Sequence, residues 1–168
     1  MDSTESDHEP SGDQNGIDYA AIVNELIEQR IPPMHSLGIR VDALVPSVAE
    51  GSAPFAGNGN HIDTMYAGAL FALAEMLGGA LFYSNFDSHH FYPTVKSLTI
   101  EFIRPARSDI TGRARLDPAE ARRLAAVAER DGKAEFIIET ELFDAAAVLV
   151  ARTVGTYQLR TAHTAANA

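Results

Sequence analysis

The chain has no cysteine, which removes disulfide frameworks, thiolate metal sites and cysteine nucleophiles together. Basic residues are scarce too: 13 Lys and Arg stand against 23 Asp and Glu, and the formal charge of -10 argues against non-specific nucleic-acid binding. Half of that excess lies in the first sixteen residues, as Asp2, Glu5, Asp7, Glu9 and Asp13, so the rest of the chain is only mildly acidic. The opening "MDSTESDHEPSGDQNG" has neither the basic start nor the apolar run of a signal peptide, and too little apolar surface to order itself. A disordered acidic tail over 1–16, a flexible tail over 161–168 and a cytoplasmic location are expected. No internal repeat is visible, and 168 residues at 46% hydrophobic content fit a single domain, placed over 17–160.

Long apolar runs are equally rare, with one exception. Met65 to Phe82 is almost wholly apolar and carries one carboxylate, Glu75. As a membrane span it is only just long enough, holds Glu75 at mid-span with Gly68, Gly78 and Gly79, and lacks basic flanks. The reading preferred is a core helix covered on most sides by other elements, with no membrane partner. Burying an ionised carboxylate without a partner is very costly, so Glu75 is neutral, paired or functional.

The cover is mostly strand. "DYAAIVNELIEQRIPP" places Tyr19, Ile22, Val23, Leu26 and Ile27 at helical spacing and stops at two prolines. "LGIRVDALVPSVAEGSAPFAGN" reads as one or two β segments broken at Pro46. In "VKSLTIEFI", Leu98, Ile100 and Phe102 alternate with Thr99 and Glu101. "DITGRARL", "AEFIIETELF" and "AVLVARTVGTYQL" supply further strands, the last two as a long hairpin across "DAA". "DPAEARRLAAVAERDGK" opens on Asp117 as an N-cap with Pro118 at the first helical position, as a surface helix or an elongated crossover. The class is α+β, with one long apolar helix wrapped by an antiparallel sheet.

From about Leu37 to Arg160 the chain resembles the hotdog-fold acyl-CoA thioesterases, phenylacetyl-CoA thioesterase-like. In these a curved antiparallel sheet wraps a long central helix and two subunits join sheets edge to edge. The resemblance rests on Asn60 standing 15 residues before Glu75, on Tyr66-Ala67-Gly68 at the helix start, and on Arg104-Pro105-Ala106 after "VKSLTIEFI". "TMYAGALFALAEM" and "VKSLTIEFIRPA" are similar to a thioesterase branch sometimes fused to acetyltransferases. Tyr66 and Ala67 stand where that family's pattern has His and Gly. Alanine keeps the backbone N–H that would polarise a thioester carbonyl, whereas tyrosine keeps a hydrogen-bonding tip without a titratable imidazole.

The resemblance implies hydrolysis of an acyl-CoA or acyl-carrier thioester without a cofactor, CoA being part of the substrate. The Ala67 N–H beside Gly68 would stabilise the oxyanion, Asn60 would orient substrate or water, and Glu75 would act as general base or nucleophile. Ala67 and Glu75 are eight residues apart, about 12 Å along a helix. That span is too long for one carbonyl, so the site is expected to be shared in a homodimer or dimer of dimers. Lys96, Arg104 and Arg107 are candidates for the CoA phosphates; Tyr66, His61 and Asp63 are candidates to line the pocket.

Plainer readings stand beside these. Glu75 can be a buried, protonated or Arg-paired carboxylate, Asn60 a loop residue capping its own turn, Tyr66 a packing aromatic, and each basic residue an ordinary surface charge. His89 and His90 are adjacent on a loop without a third ligand, so exposure is preferred to a metal site. The competing functions are a non-catalytic acyl binder, which would keep the pocket without needing Glu75, and a dehydratase or hydratase, against which Tyr66 in place of His counts.

Overall fold

In the computed structural model, which describes residues 16–162, the elements run α1 (Tyr19–Arg30), α2 (Pro32–Ser36), β1 (Arg40–Val45), β2 (Val48–Ala53) and α3 (Ala67–Asn85). They continue as β3 (Phe91–Phe102), β4 (Ile110–Arg115), α4 (Pro118–Asp131), β5 (Lys133–Phe143) and β6 (Leu149–Thr161). The tails expected over 1–16 and 161–168 lie outside the described residues, save for Gly16, Thr161 and Ala162.

Six strands form one sheet in the order β1-β2-β4-β5-β6-β3, antiparallel at every join. It curves around α3, which touches all six strands, and this is the hotdog fold. The helix starts two residues later than Met65 and runs three past Phe82. The extension is held by Ser84, whose hydroxyl donates to the Val45 carbonyl at 3.1 Å. α3 has the length and hydropathy of a membrane span, and the sheet is what buries it.

Glycines in the sheet let the helix sit close. Gly51 and Gly112 face each other across β2 and β4, and the fully buried Leu77 rests over both. Tyr157, 2% exposed, is wedged between Gly155 of its own strand and Gly78 of α3, and its hydroxyl donates to the Glu75 carbonyl at 3.4 Å. A side chain at either glycine would collide with that ring.

The two edges of the sheet are treated differently. At β1, Asn24 of α1 copies a strand: its amide donates to the Val41 carbonyl and accepts from the Val41 N–H, both at 2.8 Å. The edge is thereby closed. At β3 no element among the described residues covers the outer rim, and Tyr92, Val95 and Phe102 stand exposed along it. Pro93 falls in this edge strand, where its missing N–H is tolerated.

Most sequence expectations hold, with local differences. The prolines end α1 as expected but also open α2, because proline suits a first helical turn. The hairpin breaks at Pro46-Ser47, giving two strands. Of the two readings for residues 117–131 the helix is found, with the Asp117 carboxylate accepting from the N–H groups of Ala119 and Glu120. Ile22 is exposed, so the buried stripe of α1 narrows to Val23 and Ile27.

Candidate active site

The chain from β2 to α3, "PFAGNGNHIDTMY", is fixed by two asparagines. Asn58, 5% exposed, donates through its side-chain amide to the carbonyls of Leu37 and Pro54, at 2.7 and 2.8 Å, while its own carbonyl accepts from the Tyr66 N–H. Asn60 accepts through Oδ1 from the N–H groups of Ile62 and Thr64, at 3.0 and 3.2 Å, and donates through Nδ2 to Thr64 Oγ1 at 2.9 Å. Both ends of the Asn60 side chain therefore serve its own turn, and Asp63 completes that turn in the left-handed region, φ 56°. Met65 donates its N–H to the Ala106 carbonyl at 2.8 Å, which ties the loop to the Arg104-Pro105-Ala106 turn.

Tyr66 is the N-cap of α3 and offers no side-chain cap. Its ring is exposed and lies over Gly68. Among the described residues the N–H groups of Ala67 and Gly68 donate to no acceptor, so the first turn presents free donors at the positive end of a 19-residue helix. Beside them is a cleft of about 300 Å³ lined by Asn60, Ala67, Leu70, Phe102 and Arg104 among others. Arg104 and Arg107 are exposed and form no ion pair among the described residues. His61 and Asp63 are exposed and line neither this cleft nor the next.

Two turns further along α3, Glu75 is half-buried in a second open cleft of about 450 Å³, with Met34, Phe71, Ala72, Val95, Lys96, Ser97 and Leu98. Burial holds its carboxyl above the usual carboxylate range. Among the described residues no cation and no hydrogen-bond donor reaches that carboxylate, so the Arg-paired reading has no arginine to support it. Lys96 borders the cleft, but its ammonium is turned away and bonds Glu135 at 2.6 Å. The phenol of the neighbouring Tyr157 is pushed up, first by burial and then by the Glu75 charge.

The fold thus gathers Asn60, Ala67, Gly68 and Arg104 at the start of α3 and sets Glu75 apart along the same helix. Ala67 and Glu75 belong to one unbroken helix, so the rise of ~1.5 Å per residue keeps them about 12 Å apart along its axis. Both clefts are flanked by exposed apolar side chains, Ile62, Phe71, Val95, Phe102 and Ile103. On α3 the less covered positions Gly68, Ala72, Glu75, Gly79 and Tyr83 form one stripe at helical spacing.

Sequence reasoning missed Asn58, Tyr157 and the apolar partners of Glu75. Phe71 was within reach, since it precedes Glu75 by one turn. Tyr157 and Val95 come from distant strands, and no local signal joins them to the helix.

The family described as "Domain of unknown function (DUF4442)" matches residues 20–159. A Pseudomonas aeruginosa protein described as of unknown function and a probable thioesterase is 45% identical, with 84% of this chain and 95% of that chain covered and a TM-score of 0.80. A Chlorobaculum tepidum protein of unknown function is 18% identical, with 85% and 94% covered and a TM-score of 0.77. A Haemophilus influenzae thioesterase is 16% identical, with 88% and 94% covered and a TM-score of 0.68. No curated protein matches the chain.

Proposed function

The chain belongs to the family described as domain of unknown function DUF4442, within the hotdog thioesterase superfamily, and from that premise we propose that it hydrolyses acyl-CoA thioesters at a site shared between two subunits. The observation that carries this reading is the division of the site. Among the described residues, the cleft at the start of α3 has free N–H donors and no carboxylate or imidazole in its lining, while the cleft at its middle has an unpaired carboxylate and no free helix-terminal N–H groups. A two-fold axis with antiparallel central helices brings the middle of one helix beside the start of the other. The open β3 edge and the uncovered helix stripe support that arrangement, because both leave apolar surface for a second copy to bury.

In the assembled site the Ala67 and Gly68 N–H groups stabilise the negative charge that develops on the thioester oxygen. Glu75 of the other subunit either takes the proton of the attacking water or attacks the carbonyl carbon itself. On the first route water oxygen bonds to carbon, its proton passes to the carboxylate, and collapse of the oxyanion expels the CoA thiolate. On the second an acyl-glutamyl anhydride forms as the thiolate leaves, and water then cleaves it. A carboxyl held above its usual range suits the base role near neutrality. Asn60 positions the loop around the donors, and Arg104 and Arg107 meet the CoA phosphates with His61, Asp63 and Tyr66 around the mouth. Lys96 joins that set only by releasing Glu135. The substrate thioester supplies the CoA, and no cofactor takes part.

The test is thiol release from a panel of acyl-CoA substrates. The wild type should turn over at least one of them, and Glu75→Gln should lose about 10²–10⁴-fold in kcat. Turnover by Glu75→Gln at the wild-type rate would end the catalytic assignment.

A further inference from the structure

Strand β3 is interrupted where it faces Glu75. Its register with β6 runs Leu98↔Gly155, Ser97↔Thr156 and then Val95↔Tyr157, so Lys96 is an extra residue without a partner. The consequence is an exchange of faces. Leu98 opposite Gly155 and Val95 opposite Tyr157 both point toward the helix, whereas unbroken alternation from Leu98 would put Lys96 there and Val95 outside. The bulge turns the only lysine of β3 to the outer face, where Glu135 holds it at 2.6 Å. Glu135 accepts a second bond from Gln158 at 2.7 Å, and these two donors keep its carboxyl below the usual range. Without the slip an ammonium would stand beside Glu75.

We infer that this bulge is a specificity device: by replacing Lys96 with Val95 in the cleft beside Glu75, it builds an acyl-binding surface that takes uncharged, apolar acyl groups and rejects acyl groups ending in a carboxylate. The inference rests on the reading of the chain as an acyl-CoA hydrolase and names its substrate class. The apolar wall is made by Met34, Phe71, Ala72, Val95 and Leu98; Lys96 and Ser97 border the cleft, and with the Lys96 ammonium held by Glu135, Glu75 is the charge left facing it among the described residues. A carboxylate at the far end of the acyl chain would be desolvated there with the Lys96 ammonium already engaged by Glu135 and with a second carboxylate nearby. The exclusion of Lys96 also leaves Glu75 without a counter-ion, which keeps it free to act on the carbonyl.

Non-hydrolysable thioethers of equal length test this without requiring catalysis. Calorimetric titration of the full chain should show hexyl-CoA binding at least about tenfold more tightly than 5-carboxypentyl-CoA. Val95→Lys, at an exposed position, should shrink that ratio to threefold or less, or reverse it, and Phe71→Lys provides the same test from the helix side. A wild-type ratio within twofold, an unchanged ratio in both variants, or no binding of either thioether would overturn the inference. Thiol release from hexanoyl-CoA and adipoyl-CoA, run in parallel, separates the two claims. Thioether discrimination without hydrolysis of either thioester leaves the cleft assignment standing and removes the hydrolase reading. Hydrolysis of both at equal kcat/KM does the reverse.

Discussion

Gly78 and Gly79 are neighbours on α3, and the structure assigns them opposite responses to the same substitution. In a helix interior, glycine to alanine ordinarily stabilises by about 1 kcal/mol. A Cβ at Gly79 meets nothing within 4 Å, so Gly79→Ala should gain that amount in an isolated chain. A Cβ at Gly78 would strike the Tyr157 hydroxyl and lie 2.5 Å from its ring carbon Cζ. The ring cannot step back, because Gly155 is packed against its other side and Tyr157 is only 2% exposed. Overpacking of this kind costs about 1–3 kcal/mol, and displacing the hydroxyl from the Glu75 carbonyl adds about 1 kcal/mol. Set against the helical gain, Gly78→Ala should destabilise by about 1–3 kcal/mol. At this chain length that lowers Tm by about 2–12 °C. Urea and thermal unfolding at fixed protein concentration measure it, and Tyr157→Phe in the same chain should recover part of the loss. Gly78→Ala as stable as the wild type would refute the wedge. For Gly79→Ala, a loss of stability that grows on dilution would report a partner helix against that face.

Three further outcomes follow. Because burial raises the Glu75 carboxyl above its unfolded value, its ionisation opposes folding: stability falls as pH rises from the ordinary carboxylate range through the raised one. Glu75→Gln should therefore raise Tm at pH 7, with the difference vanishing at pH 3, and the wild-type kcat/KM should climb with pH on a limb displaced above the carboxylate range. Asn58→Ala should cost about 1–3 kcal/mol in chemical denaturation, since two part-buried carbonyls lose their donor. Arg104→Ala and Arg107→Ala should raise KM for acyl-CoA several-fold with kcat little changed, and the effect should fade at high salt and with acyl-pantetheine.

The fold was largely legible because its strongest signals are periodic. Leu98, Ile100 and Phe102 alternate as a strand face must, and Met65 to Phe82 can be satisfied only by surrounding cover. The register shift at Lys96 was not legible, since "VKSLTI" alternates well enough on paper and only the pairing with β6 shows the extra residue. Lys96 was accordingly grouped with the phosphate-binding cations, and its pairing with Glu135 depends on that shift. Asn60 illustrates a different limit. Its spacing from Glu75 is visible in the sequence, but whether its amide faces a ligand or its own turn depends on Thr64 and the backbone at Asp63.

The shared site is tested most directly by mixing two inactive variants. Glu75→Gln removes the carboxylate and Ala67→Pro removes the oxyanion N–H. Proline is suited to the first helical position, and Tyr66 already has φ -58° and ψ 128°, a conformation that proline asks of the residue before it. Random exchange of equal amounts makes half of the dimers mixed, each with one site holding both wild-type groups, so about one quarter of the wild-type thioesterase rate should return. If native mass spectrometry shows the mixed dimer and the rate stays at that of the separate variants, the carboxylate and the N–H donors do not act together across the subunit boundary, and the account is wrong.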